Sequence, residues 1–136
     1  MRVFVDTDIL IWHLRGKIEA KELLKSLLND SELELWIGVM QRAEIVFFMR
    51  PDEEEKTLIL LSLFRTHRAD EQIIDQAGIF YRKWHPSHGI DPNDAILATT
   101  VALHGGRIIT QNISHYSMPE IFVQKGWNSN SGEYEM

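Results

Sequence analysis

Short apolar runs recur along this chain without the alternation of polar and apolar residues that marks a half-exposed strand. The first spans Arg2–Val5 and a later one spans Arg107–Thr110, and segments of helical periodicity lie between such runs. Strands that are apolar on both faces are typical of a parallel sheet covered by helices on both sides. The pattern therefore predicts an α/β fold, a three-layer α/β/α sandwich around a central parallel sheet of four to five strands. The other predicted strands span residues 33–37, 64–68 and 121–123.

Helical periodicity and capping residues predict six helices between these strands. Asp8 is predicted to cap the first helix, and Asp91 followed by Pro92 is predicted to begin the last one. Residues 85–89 are predicted to form a loop. The predicted helices span residues 9–14, 18–28, 41–49, 52–64, 70–84 and 92–104.

Length and composition limit the class of protein. A chain of 136 residues is expected to form one domain, which we place at residues 1–125, followed by a polar tail at 126–136. The chain has no cysteine, so disulfides and thiolate metal sites are excluded. No apolar stretch approaches the ~18 residues of a membrane span, and we expect a cytoplasmic protein. A net charge of −6 argues against strong nonspecific binding to nucleic acid, which needs a basic surface.

Three acidic residues lie where an α/β chain would bring them to one edge of the sheet. Asp6 follows the first strand, Glu44 lies within the apolar stretch 37–49, and Asp94 opens the apolar run 94–103. In open parallel sheets, ligands bind beyond the carboxyl ends of the strands. We therefore expect the three carboxylates to lie close together at that edge.

Each acid also has a structural interpretation. Asp6 could be a turn residue, although Asp8 is the better helix cap and leaves Asp6 without a structural task. Glu44 could pair with a nearby arginine, but its neighbours are mostly apolar, and an unpaired buried charge costs several kcal/mol. Asp94 alone is explained equally well as an acid that stabilises a helix start. Asn112, just past the strand Arg107–Thr110, has a turn interpretation as well as a site interpretation.

Convergence of these carboxylates would require a cation. Two carboxylates about 4 Å apart repel by about 4 kcal/mol at an effective dielectric constant near 20. Oxygen ligands without cysteine favour Mg²⁺ or Mn²⁺ over Zn²⁺. The predicted metal ligands are Asp6, Glu44 and Asp94.

Other residues are secondary candidates for the site. His115 lies near Asn112 in sequence and could contact a substrate, whereas His85 and His88 lack a third partner for zinc. Residues 53–55 form an acidic run that is predicted to lie far from the site. Four basic residues near helix ends are predicted to form a basic rim, namely Arg15, Lys17, Arg42 and Arg50.

Four segments in this order resemble a known family, the PIN domains, and within it the VapC-type toxin ribonucleases. The segments are Val-Asp-Thr-Asp-Ile-Leu-Ile at 5–11, Gln-Arg-Ala-Glu-Ile at 41–45, Pro-Asn-Asp-Ala-Ile-Leu-Ala-Thr at 92–99 and Ile-Thr-Gln-Asn-Ile-Ser-His-Tyr at 109–116. Each motif alone is weakly specific, but the four together span nearly the whole chain in the order and spacing of the family.

The resemblance implies a parallel sheet flanked by helices and RNA cleavage that depends on Mg²⁺ or Mn²⁺. It assigns catalytic roles to four residues, with Asn112 at a position where the family often has Asp. It also implies that the protein forms a homodimer and binds a small antitoxin that masks the site, with Thr7 and Thr110 as supporting hydroxyls. The four implied catalytic residues are Asp6, Glu44, Asp94 and Asn112.

Two alternatives remain open at this point. Asp6-Thr7-Asp8 resembles the nucleophile motif of phosphatases of the haloacid-dehalogenase type, although Leu10 stands where that motif has Thr or Val. The second alternative is a catalytically weak domain that acts by binding a partner protein. Asn112 and the acidic net charge favour this second alternative.

Overall fold

The computed structural model of the protein describes residues 1–116 and 118–128. Five parallel strands form one sheet, in the order β3-β2-β1-β4-β5. This arrangement confirms the predicted parallel sheet of four to five strands. Compared with the prediction, β2 is shifted by one residue at both ends, β3 is shorter by one residue at each end, and β5 starts one residue later and ends two residues later. The strands are β1 (Arg2–Val5), β2 (Glu34–Gly38), β3 (Arg65–His67), β4 (Arg107–Thr110) and β5 (Phe122–Lys125).

In the described ranges, six α-helices and two short 3₁₀ helices accompany the strands. The 3₁₀ helices span Pro51–Glu53 and Ile113–Tyr116. The first of these 3₁₀ helices occupies the residues where an α-helix was predicted to begin at residue 52, and the α-helix itself begins at Glu54. The α-helices are α1 (Thr7–Leu14), α2 (Ile18–Leu28), α3 (Val39–Phe48), α4 (Glu54–Leu61), α5 (Glu71–His88) and α6 (Pro92–His104).

The predicted loop at residues 85–89 is wrong, because α5 continues to His88. Pro86 lies in the last turn of this helix and has no N–H to donate to the carbonyl four residues earlier, yet the helix continues for two more residues. Gly89 ends the helix with a φ of +64°, a conformation that glycine adopts without steric cost. Its N–H donates to the His85 carbonyl at 3.0 Å.

Apolar side chains fill both sides of the sheet. Val3, Val5 and Ile109 belong to a cluster with residues of α1 to α4. Phe4 and Ile108 belong to a second cluster with residues of α5 and α6. Successive strand residues therefore face opposite cores, which explains why the strands have no polar face.

The chain beyond β5 is attached to the end of β4. Gln111 Nε2 donates to the Trp127 carbonyl at 3.2 Å, and the Trp127 N–H donates to Gln111 Oε1 at 2.9 Å. Residues 129–136 of the predicted polar tail lie outside the described residues. Among the residues that are described, no helix is both long enough and apolar enough to cross a membrane.

Candidate active site

A cavity of about 220 Å³ opens at the carboxyl edge of the sheet, where β1 and β4 end. It brings together residues from α1, α3, α6 and the segment after β4, so all four predicted site residues lie around one space. His115, the predicted substrate contact, lies there too. The cavity is lined by Asp6, Thr7, Asp8, Ile11, Glu44, Asp91, Asp94, Asn112 and His115.

Asp6 lies between β1 and α1 and is only 6% exposed. Its carboxylate accepts the Thr7 N–H at 2.9 Å and the Thr110 hydroxyl at 3.0 Å. The predicted cap of α1 was Asp8, and this is wrong: Asp6 is the N-cap residue. Asp6 therefore has a structural task as well as a position in the cavity.

Asp8 connects two segments of the site, a role that the sequence did not reveal. Its Oδ1 accepts the Ile9 N–H at 2.8 Å, and its Oδ2 accepts the Gln111 N–H at 2.9 Å. The second bond joins the start of α1 to the chain that follows β4. The only sequence signal was the spacing Asp-Thr-Asp, which does not indicate a contact 103 residues away.

Glu44 is held by two neutral donors. The Thr7 hydroxyl donates to its Oε1 at 2.7 Å, and Asn93 Nδ2 donates to its Oε2 at 3.1 Å. The predicted apolar surroundings are wrong in part, since Phe47 and Phe48 are 78% and 80% exposed. Glu44 is half-buried because donors from α1 and α6 meet it, and not because its sequence neighbours enclose it.

Asp94 is both a helix-start acid and a cavity residue, so neither interpretation excludes the other. Its N–H donates to Asp91 Oδ1 at 2.8 Å, and the Asp91 N–H donates to Asp94 Oδ2 at 3.2 Å, which completes a capping box. Two side chains from the opposite wall also reach this carboxylate. The Tyr116 hydroxyl donates to Oδ1 at 2.8 Å, and His115 Nδ1 lies 3.1 Å from Oδ2.

Asn112 is attached to the site through Thr110. Its backbone N–H donates to the Thr110 hydroxyl oxygen at 3.0 Å, and its exposed side chain lines the cavity. Thr110 is fully buried and donates to Asp6. The predicted supporting roles of Thr7 and Thr110 thus correspond to hydrogen bonds to Glu44 and Asp6.

Among the residues that the structure describes, no lysine or arginine pairs with these carboxylates, and the basic side chain that reaches them is His115, with Nδ1 3.1 Å from Asp94 Oδ2. Burial, followed by the charge of Asp8, raises the pKa of Asp6 to about 7, against the lowering effect of bonds from Thr7 and Thr110. Burial also raises the pKa values of Asp8 and Asp94. Such clustered acids with raised pKa values are typical of functional sites.

The donor set fits a hydrated hard cation. Within residues 1–116 and 118–128, no three acidic or histidine side chains lie close enough together to hold one ion directly. Mg²⁺ keeps several of its waters and binds proteins through one or two carboxylates. The buried and undercompensated Asp6, with Glu44 and Asp94 on the same cavity, therefore suits an ion that is bound in part through water.

Arg15, which was predicted to belong to the basic rim, pairs with Glu53, the first residue of the acidic run 53–55. Arg15 Nη1 lies 2.9 Å from Glu53 Oε2, and Glu53 is only 5% exposed. A hydrogen bond from the Arg50 backbone, and then the Arg15 charge, lower the pKa of Glu53. The basic rim and the remoteness of the acidic run from the site stay predictions.

A family model described as the PIN domain matches residues 3–120. The matched region contains the three acids and Asn112 and makes up most of the chain. The chain therefore belongs to the PIN-domain family. The chain is therefore assigned to the PIN domains and not to the phosphatases of the haloacid-dehalogenase type.

Within that family, the chain is similar to VapC proteins, as its four motif segments predicted. It is 35% identical over 119 residues to Ribonuclease VapC10 of Mycobacterium tuberculosis. The aligned region covers 87% of this chain and 88% of the relative. It is 30% identical over 115 residues to Ribonuclease VapC19 of the same species, which covers 84% of this chain and 91% of the relative.

Solved structures share the fold. VapBC2 from Rickettsia felis, bound to a DNA fragment from its promoter, matches with a TM-score of 0.75 and 18% identity, over 94% of this chain and 100% of that one. A toxin–antitoxin complex from Klebsiella pneumoniae matches with a TM-score of 0.74 and 23% identity, over 93% and 98%. These likenesses confirm the three-layer α/β/α architecture.

Proposed function

We propose that this protein is a ribonuclease that depends on Mg²⁺ or Mn²⁺ and acts as the toxin of a toxin–antitoxin pair. The observation that carries the proposal is the meeting of Asp6, Glu44 and Asp94 on one cavity. They come from three distant segments of the chain, and its relatives at 35% and 30% identity are named ribonucleases. Helix capping accounts for Asp6 and Asp94 singly, but it does not account for the meeting of three carboxylates at one cavity where, in the described part of the chain, no lysine or arginine pairs with them.

In this proposal, Asp6, Glu44 and Asp94 hold the cation. The bound ion would lower the pKa of a water molecule and offset the charge that develops on the phosphate. Thr110, Thr7 and Asn93 keep the carboxylates oriented through the bonds described above. These donors are neutral, so they orient the acids without cancelling the charge that the cation needs.

Asn112 and His115 lie at the cavity where they can meet the substrate. Asn112 can position a water or a phosphate oxygen, but it contributes no charge. A water molecule adds to phosphorus in line, and the bond to the 3′ oxygen breaks. The products are a 5′-phosphate and a 3′-hydroxyl, and the RNA 2′-hydroxyl does not act as the nucleophile.

Incubation of the purified protein with RNA tests the chemistry. We expect cleavage with Mg²⁺ or Mn²⁺, none after chelation, and recovery when the metal is returned. Asp6→Asn should abolish cleavage while keeping the fold, since Asn caps a helix as well as Asp does. Cleavage by Asp6→Asn at the parent rate would show that the assignment is wrong, as would equal cleavage with and without chelator.

The proposed partner is a small antitoxin that covers the site. Phe47 and Phe48 are 78% and 80% exposed at the end of α3, about one turn beyond Glu44. Exposed aromatic side chains of this size mark protein-binding surfaces. A segment bound there would lie beside the cavity and could block it.

The second candidate, a protein-binding module with little catalysis, is favoured by one observation. The described acids do not already form a three-ligand cluster. Calorimetric titration separates the candidates, since the module would bind neither Mg²⁺ nor Mn²⁺ at millimolar concentration. A homodimer and a cytoplasmic location stay predictions, and gel filtration with light scattering would test the first.

A further inference from the structure

Tyr116 is a buried polar residue that the proposed chemistry does not use. It ends the 3₁₀ helix Ile113–Tyr116 and is 0% exposed. Its ring packs in the core cluster that contains Phe4 and Ile108. A buried phenol needs a hydrogen-bond partner, because an unpaired hydroxyl costs about 1–3 kcal/mol.

The phenol finds that partner in the site. Its single proton is donated to Asp94 Oδ1 at 2.8 Å. The other carboxylate oxygen, Oδ2, is contacted by His115 Nδ1 at 3.1 Å and by the Asp91 N–H at 3.2 Å. The carboxylate is thus held from both sides, and rotation would break one of these contacts.

The geometry points to Tyr116 as a positioning residue that holds the Asp94 carboxylate in its cation-binding orientation. This inference rests on the proposed metal site. A neutral donor suits the task better than lysine or arginine would, since it orients the acid and leaves its negative charge for the cation. A carboxylate oxygen that accepts one hydrogen bond keeps a second lone pair for a ligand or its water.

Tyr116 meets Asp94 as a hydrogen-bond donor, because the phenolic hydroxyl of a tyrosine carries its proton at neutral pH. Residues that orient metal ligands in this way typically change metal affinity by 10–100-fold when they are replaced.

Tyr116→Phe is the direct test, with Mn²⁺ as the probe and calorimetry or the electron paramagnetic resonance of free Mn²⁺ as the measurement. We expect Mn²⁺ affinity to fall by about 10–100-fold. Saturating Mn²⁺ should restore RNA cleavage, because the ligands themselves are intact. The matched control is Tyr81→Phe, which removes a hydroxyl from a partly buried ring beside the same core cluster and should leave Mn²⁺ affinity unchanged.

Unchanged Mn²⁺ affinity in Tyr116→Phe would overturn the inference. So would loss of folding in circular dichroism, since it would show that the hydroxyl is needed to form the core and not to position a ligand. An equal loss of affinity in Tyr81→Phe would also overturn it. Absence of Mn²⁺ binding by the parent protein would instead contradict the proposed metal dependence.

Discussion

At the scale of single residues, Asp6 combines an observed structural task with a proposed chemical one. It caps α1 through the Thr7 N–H, and it is buried beside Asp8 with a raised pKa. The cap needs only an oxygen acceptor, whereas the proposed chemistry needs a negative charge. A substitution that keeps the acceptor and removes the charge therefore separates the two tasks.

We expect the metal-free protein to lose stability as pH rises from about 4 to 7. The pKa of Asp6 is about 7 in the fold against 3.8 ordinarily, so the folded state binds this proton more tightly than the unfolded state does. The stabilisation that comes from the protonated Asp6 carboxyl is fully present below its pKa in the unfolded chain, 3.8. It is lost as the pH rises through the pKa of about 7 in the folded protein. Three pKa units correspond to at most about 4 kcal/mol.

Asp6→Asn should remove this pH dependence. Urea denaturation with chelator at about pH 4.5, 6 and 7.5 should show little difference between the variant and the parent at the lowest pH. At the highest pH the variant should be more stable, because it has no charge to bury at that position. A stability difference that stays constant across the three pH values would contradict this account.

At the scale of elements, the turn between α6 and β4 has to bring β4 beside β1. Gly105 and Gly106 have φ angles of +85° and +106°. A Cβ on Gly106 would lie 2.8 Å from the Arg2 carbonyl oxygen, whereas a Cβ on Gly105 would meet nothing within 4 Å. The two glycines thus serve different purposes: Gly105 supplies a backbone conformation, and Gly106 also supplies space.

Alanine at each position tests this difference. Both substitutions should cost about 1–3 kcal/mol through the unfavourable backbone conformation. Gly106→Ala should cost about 1–3 kcal/mol more, since it forces the backbone away from Arg2. Urea denaturation measures both changes. Equal destabilisation by the two substitutions would contradict this account, since it would show that β1 moves away from the added Cβ without a loss of stability.

Much of the fold and part of the site followed from the sequence. Strands without alternation of polar and apolar residues predicted the sheet correctly, because a strand that is buried on both faces has apolar residues at consecutive positions. The helix start at Asp91-Pro92 was also predicted correctly. The cap of α1 was not, because Asp6 and Asp8 are both good caps by type, and only the 2.9 Å bond from Gln111 to Asp8 decides between them.

At the scale of the whole molecule, function is expected at one edge of the sheet. The acidic cavity opens where β1 and β4 end, and Phe48 lines a small neighbouring cavity with Ile11 and Glu44, two residues that also line the acidic one. Phe122 is 79% exposed but begins β5, so it lies at the opposite edge. Two phenylalanines of nearly equal exposure therefore differ in their distance from the site.

This difference predicts which surface the antitoxin covers. Phe47→Ser with Phe48→Ser should change stability by no more than about 0.5 kcal/mol each, because the side chains are already in water. The proposed RNA cleavage should persist, and inhibition by the proposed antitoxin should be lost. Phe122→Ser is the control and should leave inhibition intact. Parent-like inhibition of the double variant would place the partner elsewhere.

The double task of Asp6 also has an evolutionary consequence. A single nucleotide change converts an Asp codon into an Asn codon. At position 6 such a change would leave the helix capped and remove the buried charge, so the product would lack the proposed activity and keep its fold. Lineages that carry this protein could therefore lose that activity in one mutational step without accumulating misfolded chains, and copies with the Asp6→Asn change should persist in populations.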